Sequence, residues 1–204
     1  MNAKAGLRER KKEQTVERLQ QAALGLMAER GFDAVSIDEI CDVADISKTT
    51  YYRYFETKED VLLGRSDEKF EFLREAFAEC PPEEPLLDAA RHACRGLAEQ
   101  FEADRDARLL VGRISRSTPS LAARNLAHYQ QWEELLRSEA ERRAPSGTDP
   151  LLLWLQASTV AAAVRAASDF WLEHGAARPL PELIDAAFDS LRDDTAAHPS
   201  KRQR

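Results

Sequence analysis

The stretch from Ser36 to Lys58, SIDEICDVADISKTTYYRYFETK, holds three separate helix-start signals and constrains the fold more than any other part of the chain. Ser36 followed by Glu39 is a capping box. The serine hydroxyl accepts from the N–H three residues on, and the carboxylate reaches back to the serine N–H. Ser47 is placed to cap a second helix, and Thr57 with Asp60 opens a third. The pattern predicts a helix from Ser36, a tight turn around a buried Ile46, a short helix ending about Tyr54, and a further helix from Thr57. On the first of these, Ile37, Ile40 and Ala44 point one way and Asp38, Asp42 and Asp45 another. That acidic stripe is expected to face solvent.

On the short middle helix, 100° per residue places Lys48, Thr49, Tyr52 and Arg53 in one arc of about 140°. Tyr51, Tyr54 and Phe55 lie mostly on the other side. Lys and Arg donate to guanine O6 and N7, Thr meets a thymine methyl, and Tyr bonds to phosphate. Ser47 stands at the helix N-terminus, where backbone donors and a partial positive charge favour an anion. A face of this kind on an isolated helix is ordinarily just a solvated surface. The shortness of this helix, its caps and the turn before it favour a helix-turn-helix that puts a recognition helix into the DNA major groove.

The rest of the chain reads as helical. Its 204 residues are rich in Ala, Leu, Arg and Glu, with only 8 Gly, and 43% are hydrophobic. That composition favours an all-α protein with ample core. A first helix is expected over about Glu13 to Arg30, after a loose polar segment, with Gly31 as its stop. A long fourth helix should run from Thr57 past Gly64 to the break CPPEEP at Cys80 to Pro85. Five more helices follow, over about Leu86–Ala103, Asp106–Arg116, Thr118–Arg143, Pro150–Gly175 and Pro181–Asp193. The domains are read as a reading head over residues 1–64, a ligand-binding and dimerisation domain over 65–194, and a disordered tail over 195–204.

The net charge of −7 argues against a protein coated in nucleic acid but leaves room for a focused reading face. Near the N-terminus, Lys4, Arg8, Arg10, Lys11, Lys12 and Arg18 outnumber Glu9, Glu13 and Glu17. Arg8 and Lys12 in this arm are candidate contacts to phosphates or the minor groove. Cys41, Cys80 and Cys94 are odd in number and form no CxxC, so free thiols in a reducing cytoplasm are expected. From the polar start no signal peptide is expected, and the uncharged run Leu151–Val164 is short for a membrane span. No membrane role is expected.

The short helix and its flanks resemble the TetR family of bacterial transcriptional regulators. The resemblance covers about residues 12–64. It rests on Ala44, Ile46, Ser47, Thr50, Tyr52 and Phe55 and on Lys58 at the opening of the fourth helix. It implies phosphate contacts from Ser36, Thr50, Tyr52, Tyr54 and Lys58, and base reading by Lys48, Thr49 and Arg53. Two positions depart from the family's habit. Asp45 stands where Gly is common, which Asp tolerates in a left-handed conformation at modest cost. Thr49 stands where Gly or Ala is frequent.

The helix after Pro150 is apolar or small nearly all round, so it is expected to be buried on more than one side. Ala157, Ala161 and Ala162 on it, with Leu183, Ile184, Ala187, Phe188 and Leu191 on the last helix, are candidates for half of a four-helix homodimer interface. The resemblance implies the same. A two-fold dimer suits a palindromic operator on double-stranded DNA.

Phe101, Tyr129, Trp132, Trp154 and Trp171 are candidate cavity linings, with His92, Arg113 and His128 as polar contacts. The family resemblance implies an inducer pocket for a small hydrophobic ligand. The segments HYQQWEELL and FWLEHG are similar to regulators associated with mycofactocin gene clusters. No Gly-rich phosphate loop, HExxH or nucleophile elbow is present, so no enzyme, metal or cofactor is expected. The acidic balance keeps one alternative open: a helical ligand-binding or protein-interaction module whose helix-turn-helix does not bind DNA.

Overall fold

The computed structural model describes the backbone of residues 3–64 and 66–197, and side chains over 10–64 and 69–192. The expected all-α architecture is what it shows: ten helices and, among the described residues, no strand. They are α1 (Ala3–Arg30), α2 (Ile37–Ala44), α3 (Lys48–Tyr54), α4 (Lys58–Leu63), α5 (Ser66–Glu79), α6 (Leu86–Ala103), α7 (Arg105–Ser117), α8 (Pro119–Arg143), α9 (Pro150–Glu173) and α10 (Leu180–Ala197). The chain divides into two compact units. One comprises Met1–Ser66 with Leu110–Asn125, the other Asp67–Leu109 with Leu126–Arg204.

Three differences from the sequence expectations have plain causes. The first helix begins at Ala3, because the Ala, Arg, Lys and Glu residues around Gly6 are good helix formers and no proline interrupts them. The expected long fourth helix is two helices. Gly64 takes φ 76° and ψ 175°, which ends α4 after Leu63. The last helix continues to Ala197, since Thr195, Ala196 and Ala197 carry no stop signal; residues 198–204 lie outside the described residues. Elsewhere the expected punctuation holds. Gly31 closes α1 at φ 82°, and Pro81 and Pro85 lie in the break between α5 and α6. Asp149 caps α9 ahead of Pro150.

The first unit packs α1 against α2 and α4. Leu19, Ala23 and Met27 of α1 meet Ile40, Cys41 and Ala44 of α2, Tyr51 and Phe55 around α3, and Val61 to Leu63 of α4. Ile114 and Leu121 complete this core. In the second unit α10 packs on α6 and α9. Its core joins Phe77, Ala89, Ala90, Ala93, Trp132, Leu136, Ala157, Val160, Trp171, Ile184 and Phe188. Arg91 of α6 binds Asp185 at 2.8 Å and Asp189 at 2.6 Å on α10, and Arg95 pairs with Asp185 beside it.

Asp45 ends α2 in the left-handed conformation, φ 52° and ψ 50°. Its N–H donates to Asp42 O at 3.1 Å and the Ile46 N–H to Cys41 O at 3.0 Å. These are the paired bonds of a Schellman motif, which turns the chain sharply enough for α3 to cross α2. Asp45→Gly is expected to fold with at least wild-type stability, whereas β-branched Asp45→Val should lose about 1–2 kcal/mol in urea unfolding. Equal stability of the two variants would show that this turn is not held left-handed.

Candidate nucleic-acid interface

A seven-residue helix is too short to hold itself together in water. Side chains at both ends and underneath hold α3 instead. Ser47 Oγ accepts from Thr50 N at 3.2 Å, and the two hydroxyls lie 2.9 Å apart. The Tyr51 ring is fully buried, 5.6 Å from that of Phe55, and its hydroxyl donates to Thr57 O at 2.9 Å. Burial first, and the Asp60 charge after it, push the Tyr51 phenol far above its ordinary range, so it stays a neutral donor. The capping box of Ser36 and Glu39 before α2, and that of Thr57 and Asp60 before α4, both form. Arg124 ties Asp60 from α8 at 2.5 Å.

With Tyr51 turned inward, Lys48, Thr49, Tyr52 and Arg53 are exposed together on the outer face. Tyr52 is 53% exposed, which is unusual for a large aromatic and marks a ring held out to solvent. Arg53 stacks over the Tyr54 ring at 4.9 Å and donates to its hydroxyl at 3.1 Å. Tyr54 is therefore half-buried beneath Arg53. Ser36 and Ser47 are exposed, but each is already engaged as a cap. The Lys12 side chain on α1 is half-buried; the Arg8 side chain lies outside the described residues.

Charge is distributed differently from the sequence expectation. The acidic stripe on α2 does not simply face away: Asp38 binds the Lys48 ammonium at 2.5 Å. That contact raises the Lys48 pKa, its hydrogen bond to Asp38 being the main cause. Lys58 donates to Phe32 O at 2.7 Å and Val35 O at 2.8 Å, with its ammonium 4.3 Å from the Phe32 ring. Arg18 donates to Ala44 O, and its guanidinium lies 3.7 Å from Asp45. Lys58 and Arg18 thus seal the backbone of the reading unit. Carbonyl partners of this kind cannot be seen in a sequence.

In the second unit the expected cavity residues do not converge. Trp132 and Trp171 are buried in the core, Trp132 stacked on Phe77 at 6.2 Å, and neither indole N–H has a partner among the described residues. Tyr129 is half-buried with Arg165 5.9 Å from its ring, and burial pushes its phenol up to about 12. Trp154 is 54% exposed under Arg137. Arg113 is exposed and belongs to the first unit, because α7 contributes to both. His92 lines a surface groove of about 420 Å³ between α5 and α6 with Phe72, Glu75, Glu79, Arg95 and Glu99. Phe101 lies beneath Arg108, a neighbour the sequence did not single out.

The expected interface residues are mostly spent inside the chain. Ala157, Ala161, Leu183, Ile184 and Phe188 are buried in its own core, and Ala187 and Leu191 are half-buried. Only Ala162 is exposed. It lies on an apolar stripe of α9 that also carries Leu151, Leu155, Thr159, Ala166 and Phe170, all exposed. The expectation that α9 is apolar nearly all round holds, but Ala157 and Ala161 lie on the face that packs in the chain's own core, while Leu151, Leu155 and Phe170 lie on the other.

Residues 19–64 match the family model described as bacterial regulatory proteins, tetR family. Residues 84–196, more than half of the chain, match that of the MftR C-terminal domain. Among curated proteins, the chain is 26% identical to a candidate mycofactocin biosynthesis transcriptional regulator, MftR, of Mycobacterium tuberculosis. That alignment covers 88% of this chain and 90% of the relative. It is also 26% identical to the HTH-type transcriptional regulator TcmR of Streptomyces glaucescens, over 94% of this chain and 89% of that one. Among solved structures, Thermus thermophilus FadR, a TetR-family repressor in complex with lauroyl-CoA, superposes with a TM-score of 0.60. It is 21% identical over 93% of this chain and 99% of its own. Bacillus subtilis FadR in complex with stearoyl-CoA gives 0.59 at 16% identity over 86% and 96%. At these identities the structures attest the fold.

Two stability outcomes follow from the local geometry. Lys58→Met keeps the aliphatic stem over Phe32 but strands two carbonyls, and should cost about 1–3 kcal/mol in urea unfolding. Glu39 is held down from 4.5 to about 2, first by the Ser36 backbone N–H and then by Arg30. A carboxylate depressed on folding stabilises above its unfolded pKa and loses that contribution as pH falls through its folded value. The stability gap between wild type and Glu39→Gln should therefore be constant above about pH 5 and close towards pH 2. A gap independent of pH would rule out the capping carboxylate as its source.

Proposed function

The chain belongs to the TetR family of bacterial transcriptional regulators, and from that premise we propose that it is a repressor that grips a palindromic operator as a homodimer and is released by a small hydrophobic inducer. Residues 1–64 are the reading head and residues 65–194 the ligand-binding and dimerisation domain. It works in the cytoplasm, where its DNA is.

One observation carries the DNA reading: Lys48, Thr49, Tyr52 and Arg53 stand exposed on one face of a helix whose other face is pinned by the buried Tyr51. Lys48 and Arg53 read bases, Thr49 touches a base edge or methyl, and Tyr52 with the Ser47 and Thr50 hydroxyls grips phosphates. Ser36, Tyr54, Lys58, Arg8 and Lys12 flank this face. Lys58 holds two carbonyls with two of its three donors, so one remains for a phosphate. Asp38 opposes phosphate on the same face and tethers Lys48 until a base replaces it.

Dimerisation is supported by the α9 stripe. Leu151, Leu155, Thr159, Ala162, Ala166 and Phe170 recur at helical spacing and extend about 29 Å at about 1.5 Å per residue. By length and composition α9 could cross a bilayer. Arg165 and Asp169 within it tell against a bilayer, and the small residues Thr159, Ala162 and Ala166 along the stripe suit close packing on a second copy instead. The hydrophobic inducer has its precedent in the acyl-CoA complexes of the two FadR structures of the same fold.

The test is binding of the full chain to DNA upstream of its own gene, measured by gel shift and fluorescence anisotropy across salt. Arg53→Ala should cost about 1–3 kcal/mol on the preferred site and flatten base preference at one position of each half-site. Asp38→Asn should tighten binding to all duplexes and steepen the salt dependence by about one. Leu155→Glu should turn the dimer into a monomer in sedimentation and abolish the operator shift. A chain with no salt-sensitive affinity for any duplex would favour the DNA-independent helical module.

A further inference from the structure

Phe101 on α6 is faced by two cations. The Arg108 guanidinium of α7 lies 4.1 Å from its ring centroid, and the Lys69 ammonium of α5 lies 5.6 Å from the same centroid. Three helices of the second unit therefore converge on one ring and bring two positive charges with them. Among the described residues, no hydrogen-bond acceptor or ion-pair partner meets the Arg108 side chain. Asp104, one turn earlier on the chain, is the carboxylate that acts on it through space.

Two like charges at a poorly hydrated site repel each other and lose hydration. Burial first, and the Arg108 charge second, push Lys69 down to about 7, and burial lowers Arg108 as well. Contact with the Phe101 ring offsets part of this cost. A guanidinium that meets a ring face through its carbon still has N–H donors to offer, and these can pair with a carboxylate or phosphate through two parallel bonds. An anion arriving there would lie beside both cationic side chains and favour the charged form of each. Half-buried Phe70, Leu97 and Leu109 lie on the same three helices and pack against the unit's core, so apolar surface adjoins the charges.

We propose that Arg108 and Lys69, set around Phe101, form the site for the anionic head group, carboxylate or phosphate, of an amphiphilic ligand. The proposal deepens the ligand-responsive reading above by giving the inducer a charge, and it rests on that reading only for its regulatory meaning. The binding event itself stands on the geometry of one unit.

The experiment uses the full chain with three probes of equal chain length: dodecanoate and dodecyl phosphate below their critical micelle concentrations, and dodecanol below its solubility limit. Thermal unfolding and calorimetric titration are followed for wild type, Arg108→Gln, Arg108→Lys and Lys69→Met. At least one anionic probe should bind saturably and raise the Tm, with dodecanol at least tenfold weaker. Which anion binds more tightly separates a carboxylate head from a phosphate head. Arg108→Gln and Lys69→Met should each weaken the anion at least tenfold and leave dodecanol unchanged, and Arg108→Lys should recover part of the loss. Lys69→Met keeps the length of the side chain beside the Phe101 ring, and its ligand-free Tm is measured against wild type, so a folded variant keeps the test open if Arg108→Gln fails to fold.

Equal binding of dodecanol and the anions, or wild-type anion affinity in Lys69→Met, would overturn the site. Operator release is scored separately with the same probes. Anion binding without release supports the site and counts against the inducer reading, whereas intact DNA binding with no anion binding overturns the site alone.

Discussion

The buried Tyr51 is the contact on which the reading surface depends. A helix of seven residues has too few internal hydrogen bonds to offset the cost of its own nucleation. Tyr51 fills the core between α2 and α4, and its hydroxyl closes onto Thr57 O just where the chain turns into α4. With that ring fixed, the 100° step of the helix decides which residues point outward. The serine and threonine caps set the length of α3, but the tyrosine sets its rotation. Rotation is what determines whether Lys48, Thr49, Tyr52 and Arg53 share a surface.

Electrostatics in this unit work locally. The chain is acidic, and acidic side chains adjoin the reading face itself, yet most are committed. Glu39 and Asp60 cap helices, and Asp38 holds Lys48. The cations are equally committed, with Lys58 and Arg18 bonded to carbonyls that end α2 or form the loop before it. These bonds tie the turn regions on either side of α3 to the rest of the unit. The net charge of −7 thus says little about what the outer face of α3 presents to a duplex.

The second unit shows a different balance between pattern and packing. Helix boundaries there were readable because Pro81, Pro85, Pro150 and Gly175 punctuate the sequence within two residues of the observed ends. The destination of each apolar face was not readable. Leu183, Ile184 and Phe188 have the spacing of an interface and are buried in the chain's own core, while Leu151, Leu155 and Phe170 stay outside. An amphipathic stripe looks the same whether it meets a neighbouring helix of its own chain or a second molecule. The aromatic residues carry the same ambiguity: Trp132 and Trp171 fill the core, Trp154 lies on the surface, and Phe101 gathers two cations.

The sequence by itself determined the class of fold, the caps that frame α2, α3 and α4, the left-handed Asp45 and the four residues on the outer arc of α3. All of these are local: each depends on residues within about one helical turn of one another, where spacing fixes geometry. The tertiary structure alone decided that Gly64 divides the expected fourth helix, that Lys58 and Lys48 already have partners, and which face of α9 is left uncovered. It alone brought Lys69 and Arg108 to one ring. The Gly64 break is a backbone conformation that an otherwise helical pattern does not announce; the other outcomes depend on contacts between separate segments of the chain, and a periodic pattern carries no record of what will pack against it.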